Sequence, residues 1–192
     1  MHALEEKLAL PGDVASNTQS LFDYWYSIRG QEIVPSRLDL RPVAILPLLP
    51  NLMILEYRED GALVYRLAGT AYAEKLGIDL TGSNLFDQIT PHQRVNAKIR
   101  FNMVRDYPCG LLVHERLRSR HNTSFVAEII YLPLRDRDGV ITQLIGLGTV
   151  IGRDEKRAMA DASPHMIAVA VQFLDIGAGL PQTMPDEVRR AV

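Results

Sequence analysis

Apolar residues recur along this chain in two rhythms, one of three to four residues and one of two. The longer rhythm comes first: Leu21, Trp25 and Ile28 fall on one stripe, and Phe22, Tyr24 and Tyr26 widen it. Ser16, Asn17 or Thr18 stands where a helix cap is needed, and Gly30 stands where the helix must stop, so the spacing predicts a helix beginning near residue 16. Residues 31–50 carry Pro35, Pro42, Pro47 and Pro50. Proline lacks the N–H that a helix interior or a central strand requires, so this stretch is read as a connector.

From Asn51 the rhythm shortens to two. Residues 52–58 and 63–68 read as strands joined at Glu59-Asp60-Gly61, an acidic-glycine turn between apolar runs, and hence as a hairpin. A helical stretch follows that is broken at Gly77 and again at Thr81-Gly82-Ser83-Asn84. Pro91 then opens a longer helix, about 92–106, which Tyr107-Pro108 ends. Three further strands, 111–118, 124–134 and 140–151, are separated by turn-forming polar residues. The order is strand, strand, short helices, long helix and three strands, an α+β arrangement. Residues 1–15 read as a leader, 16–50 as helix and connector, 51–151 as the core domain, and 152–192 as a tail. In that tail Met166, Val169, Phe173 and Ile176 are spaced for an amphipathic helix of about three turns. The β-branched content leaves a strand open.

Bulk properties narrow the classes. With 192 residues, 47% hydrophobic and 23% charged, the chain has ordinary globular composition. A net charge of -2 gives no basic footprint, so no nucleic-acid partner is expected. No apolar run reaches the length of a membrane helix, and the acids at Glu5 and Glu6 do not suit a signal peptide. Cys109 is the single cysteine, which rules out an intrachain disulfide and fits a reducing compartment; the expected location is cytoplasmic.

Three segments carry a family resemblance: "VYRLAGTA" from Val64, "LGIDLTGSNLFD" from Leu76, and the upstream "FDYWYSIRG" with "VPSRLDLRPVAILPLLPNLMILE". Together they resemble the PAS domain superfamily, and within it a bacterial subgroup whose domain often stands alone. The resemblance implies a five-stranded antiparallel sheet curled around a pocket, with short helices and one longer helix forming the opposite wall. It also implies a sensory or interaction role without chemistry, a homodimer, and output through a separate protein. Ligand or partner would act by shifting the population of helix arrangements. Glycine breaks at Gly77 and Gly82 suit such a wall, since short pieces can wrap a ligand where one long helix cannot.

Alternation along the strands and the place of the helices give a candidate pocket of Tyr57, Tyr65, Leu67, Phe86, Phe101, Val113, Glu115, Phe125, Ile129 and Tyr131. A fully packed core without a cavity is equally compatible with the same positions, which would make the protein a ligand-free adaptor. The opposite sheet face is half apolar, and the Leu21, Trp25, Ile28 stripe is expected to cover it or to join two protomers. Arg37, Asp39 and Arg41 form either an anion site or, as favoured, a network that pins the connector. No cofactor is expected. His92 lies where haem-binding PAS domains place an iron ligand, but a lone histidine at a helix start weighs against haem. His114 and His121 have no supporting cysteines for zinc, and Cys109 lacks the flanking residues of the flavin photosensors. No catalytic motif is present; the remaining enzymatic alternative is a small curved-sheet enzyme with Glu115 as base.

Overall fold

In a computed structural model of the chain, which describes residues 10–121, 123–154 and 166–181, the two rhythms resolve into one curved sheet with helices on both faces. Helix α1 runs Ser16–Ile28. Two 3-10 segments follow, Arg37–Asp39 and Pro42–Asn51, and the prolines at 42, 47 and 50 are accommodated in these tight turns. Strands β1 (Leu52–Tyr57) and β2 (Leu63–Ala68) form the hairpin. Helices α2 (Thr70–Leu76), α3 (Leu85–Gln88) and α4 (Pro91–Asp106) come next, then β3 (Gly110–Arg118), β4 (Ser124–Arg135) and β5 (Ile141–Asp154). The order across the sheet is β2-β1-β5-β4-β3-β6, every pairing antiparallel.

The sixth strand, β6 (Ile167–Leu174), corrects the helix expected in the tail. Its apolar residues can be counted in threes and fours, but Ile167, Val169 and Val171 are β-branched and alternate. The open edge of β3 offers unpaired backbone groups that a separate helix would have left unsatisfied. Residues 167–174 pair with β3 from Arg116 back to Gly110, with a bulge between His114 and Glu115. The sheet therefore has six strands rather than five.

Each face buries its own core. On the inner face Met53, Leu55, Tyr65, Leu111, Ile129 and Tyr131 meet Leu85, Phe86, Phe101 and Val104 from the helices. On the outer face Leu21, Phe22 and Trp25 lie against Ile130, Leu132, Leu134, Ile145 and Leu147. Trp25 is fully buried, and its indole Nε1–H donates to the Pro133 carbonyl at 2.8 Å. Phe22, also buried, completes the stripe; Ile28 stands half-buried at its margin.

None of Ser16, Asn17 and Thr18 caps α1. The helix begins at Ser16, and its N-cap is Ala15, one residue before the first expected cap; the Ala15 N–H donates to Glu128 Oε1 of β4 at 2.9 Å. The cap is thus supplied across the sheet by a carboxylate, which also suits the positive end of the helix dipole.

Candidate functional site

The inner wall is held close to the sheet by local chemistry. At Gly77 the backbone turns left-handed (φ +76°), ending α2 with its N–H on the Ala73 carbonyl. A side chain there would be strained, and its Cβ would lie 2.8 Å from that of Arg120. The Tyr72 hydroxyl of α2 donates to the Asn51 carbonyl at 2.8 Å. On the other side, the Tyr57 hydroxyl donates to the Phe101 carbonyl of α4 at 2.6 Å. Phe101 in turn stands edge-on to Phe86 and to Tyr131, with centroids 6.0 and 5.0 Å away.

Between wall and sheet lie two small cavities. One, of about 30 Å³, is lined by Tyr65, Phe125 and Ile129 from the sheet and by Tyr72 and Leu76 from α2. The other, of about 20 Å³, is lined by Val113 and Glu115 from β3 and by Gln93, Arg100 and Phe101 from α4. Either holds a water molecule and neither holds a drug-sized ligand as it stands.

Glu115 is the chemical focus of this interior. It is 5% exposed, and its Oε2 is buried without a hydrogen-bond partner. Burial alone pushes its carboxyl up to about 7. Burial likewise raises the Tyr65 and Tyr131 hydroxyls far above their ordinary range, and the nearby Glu115 adds to it. Gln93, also buried, is spent on β6: its Nε2 donates to the Ala168 carbonyl at 3.0 Å and its Oε1 accepts the Ala168 N–H at 2.9 Å.

Most of the candidate residues lie on or behind the walls of these cavities. Tyr65, Phe125 and Ile129 line the first; Phe101, Val113 and Glu115 line the second. Phe86 and Tyr131 pack behind them in the same core, and Tyr57 sits half-buried at the edge. Leu67 is the correction. Between Ile54 and Leu55 the register shifts, so that Leu55 faces Tyr65 while Ile54 faces Leu67. Arg66 is the extra residue, alternation resets, and Leu67 points outward, 45% exposed. There it borders an apolar groove of about 530 Å³ between the Pro42–Asn51 turns and the outer face of β1 and β2, with Ile54 and Leu46. Tyr72, Gln93, Arg100 and Met166 were missed: a helical Tyr and Gln carry no pocket signal, and Met166 lay in a segment assigned to the tail.

Of the connector trio, Arg41 pins the segment, and it does so through backbone groups and Tyr24 rather than through an Arg–Asp network. Tyr24 of α1 accepts the Arg41 N–H at 2.6 Å, and Arg41 Nη1 donates to the carbonyls of Leu38 and Leu40 at 2.7 and 3.1 Å. Among the described residues neither Arg37 nor Arg41 forms an ion pair with Asp39. His92 is exposed on the first turn of α4 and lines neither cavity. Cys109 is fully buried, and burial pushes its thiol up to about 12, which keeps it protonated and unreactive. The described residues hold no group of three or more His, Cys, Asp or Glu suited to a metal, and no helix long and apolar enough to cross a membrane.

The fold is thus an antiparallel sheet wrapped over short helices, with a carboxyl buried between them. The sequence profile of the PAS domain family matches residues 14–149, and the chain belongs to that family. No curated protein matches it. Among solved structures, VqmA bound to DPO overlays with a TM-score of 0.46 at 18% identity, covering 57% of this chain and 55% of that one. A light-oxygen-voltage domain solved with a flavin analogue gives 0.46 at 15% identity, covering 57% and 82%. The Vibrio cholera VqmA–ligand–DNA complex gives 0.44 at 19% identity, covering 56% and 49%. The match thus spans about half the length of the VqmA chains.

Proposed function

We propose that this chain is a non-catalytic sensory module that takes a small molecule between its sheet and its helical wall. Occupancy would be read out as a shift in the arrangement of α2, α3 and the C-terminal strand. The observation that carries this reading is the buried, unpartnered carboxyl of Glu115 beside two cavities in a wall made of short helices. A purely structural interior has no use for an uncompensated carboxyl, which costs free energy unless a partner arrives. Catalysis fits less well: a base near neutrality is present, but neither cavity is lined by a serine, threonine or cysteine, and the described residues hold no group of three or more His, Cys, Asp or Glu suited to a metal. Membership of the PAS family supports the sensory part of the reading. A reducing, cytoplasmic setting fits the single buried thiol.

Native mass spectrometry of protein taken directly from cells tests this. A small-molecule adduct that is lost on denaturation is the expected result, together with an absorption spectrum free of haem or flavin bands. Bare protein, combined with no interior chemical-shift change against a fragment library, would overturn it. A second reading, a ligand-free adaptor, draws on the outer groove with its exposed Leu46 and Leu67. It predicts bare protein and a partner whose binding is lost when Leu67 is made polar.

A further inference from the structure

One side chain lines both inner cavities: Met166, at the start of β6. It is 5% exposed and reaches the core by a route independent of the sheet. Its N–H donates to the Gln88 carbonyl at 2.6 Å, and its carbonyl accepts the Thr90 N–H at 3.3 Å. A parallel bridge to Ile89 and the two Gln93 bonds to Ala168 complete this clasp between the C-terminal strand and the junction of α3 and α4. Met166 therefore stands as a shared wall, a partition between two water-sized voids. A methionine is a flexible, polarisable filler that gives way readily.

The walls on either side of the partition have a consistent chemistry. On one side stand the Glu115 carboxyl and the Phe101 ring; on the other stand Tyr65, Tyr72 and Phe125, with the exposed Lys75, whose Nζ donates to Asn51 Oδ1 at 3.0 Å. A buried carboxyl with aromatic rings nearby suits a cation with an apolar body: a ring face can attract the charge and the carboxylate pairs with it. Arg100 lines the same cavity, but it has partners of its own and forms no ion pair with Glu115.

We propose that Met166 stoppers a single amine-binding site in the PAS interior, in which Glu115 anchors the ammonium group of a small amphipathic amine and the displaced Met166 loosens the clasp of β6. This rests on the reading of the interior as a ligand site and names the ligand's class. It links binding to the C-terminal strand, because the residue that must move is the one that ties that strand to α3 and α4.

The test uses the full chain and three probes of similar shape: benzylamine, benzyl alcohol and benzoate. Binding is read by the ¹³C shift of the methionine methyls and by the rings of Tyr72 and Phe101. In the wild type, benzylamine should shift the Met166 methyl, which a Met166→Leu spectrum assigns; benzoate should not. Met166→Ala should bind benzylamine roughly tenfold more tightly, since the probe no longer displaces a side chain. Glu115→Gln should weaken benzylamine roughly tenfold to a hundredfold, the worth of a charge-assisted bond, and leave benzyl alcohol unchanged. If Met166→Ala does not fold, the wild-type methyl shift and the Glu115→Gln comparison still decide. Equal binding of all three probes, as expected if a water alone occupies the Glu115 cavity, overturns the proposal while leaving an interior ligand site standing. No interior shift with any probe, in protein that carries no native adduct, overturns both.

Discussion

Two buried carboxylates stand on neighbouring strands of the same sheet and have opposite circumstances. Glu128 of β4 faces outward and Glu115 of β3 faces inward; their cross-strand partners are His114 and Ala127. They are 2% and 5% exposed. Glu128 is satisfied: Oε1 accepts the Ala15 N–H at the start of α1, and His114 Nε2 lies 3.3 Å from Oε2. Glu115 has an oxygen with no partner and titrates near neutrality. Burial alone therefore does not decide whether an acid is satisfied. What separates them is whether the fold itself completes the hydrogen bonds, and on the outer face it does.

The outer face should accordingly behave as a fixed scaffold whose loss costs stability. Trp25→Ala removes a fully buried ring and its bond to Pro133, at an expected cost of about 3–5 kcal/mol. Urea unfolding measures it. A midpoint unchanged from wild type would mean that α1 does not dock on this sheet.

The inner carboxylate is expected to make stability depend on pH. Its folded pKa of about 7 lies above the ordinary 4.5, so between those values the folded protein holds a proton that the unfolded chain releases. Its contribution is full below pH 4.5, falls as pH rises to 7, and is flat beyond, a change of up to about 3 kcal/mol. Glu115→Gln removes the charge and should be the more stable form at pH 8, with the two proteins converging toward pH 4.5. Parallel stability curves across that range would show that Glu115 is compensated in solution.

The outer carboxylate sharpens the contrast from the other side. Glu128→Ala leaves the Ala15 N–H without its cap and should cost about 2 kcal/mol. Amide exchange at the start of α1 locates the loss, and Glu128→Gln, which keeps an acceptor oxygen, should recover part of it. Equal exchange in all three proteins would mean that the cap is not formed.

How far the sequence carried each face follows from the range of the signals. Tyr65, Phe125, Ile129 and Glu115 were legible because alternation is a local property and one strand suffices to read it. The cap on α1 was not, since its acceptor lies 113 residues away in sequence. Ser16, Asn17 and Thr18 were plausible substitutes only because the distant carboxylate was invisible. The tail's spacing pointed to a helix while its β-branched content left a strand open, for a similar reason: what makes it a strand is the free edge of β3, a tertiary fact. Met166 went with it, and with Met166 the link between the pocket and the C-terminal strand.

Leu67 supplies the smallest expected effect and the most specific test of the face assignment. By simple alternation from Tyr65 it belongs inside, and a polar residue there would have the cost of a buried hydroxyl in an apolar core, about 1–3 kcal/mol beyond the lost packing. The register shift at Ile54 and Leu55 instead turns it outward, to stand 45% exposed on the groove beside Ile54. Leu67→Thr keeps a β-branched residue suited to an exposed strand position and should change stability by no more than about 0.5 kcal/mol. The same substitution at Tyr65, which is 1% exposed, should cost several times as much. Two neighbouring substitutions on one strand, compared by thermal and urea unfolding, thus report where the bulge lies. If Leu67→Thr proved as damaging as the change at Tyr65, β2 would be regular, Leu67 would face the cavities, and the outer groove would lose its floor.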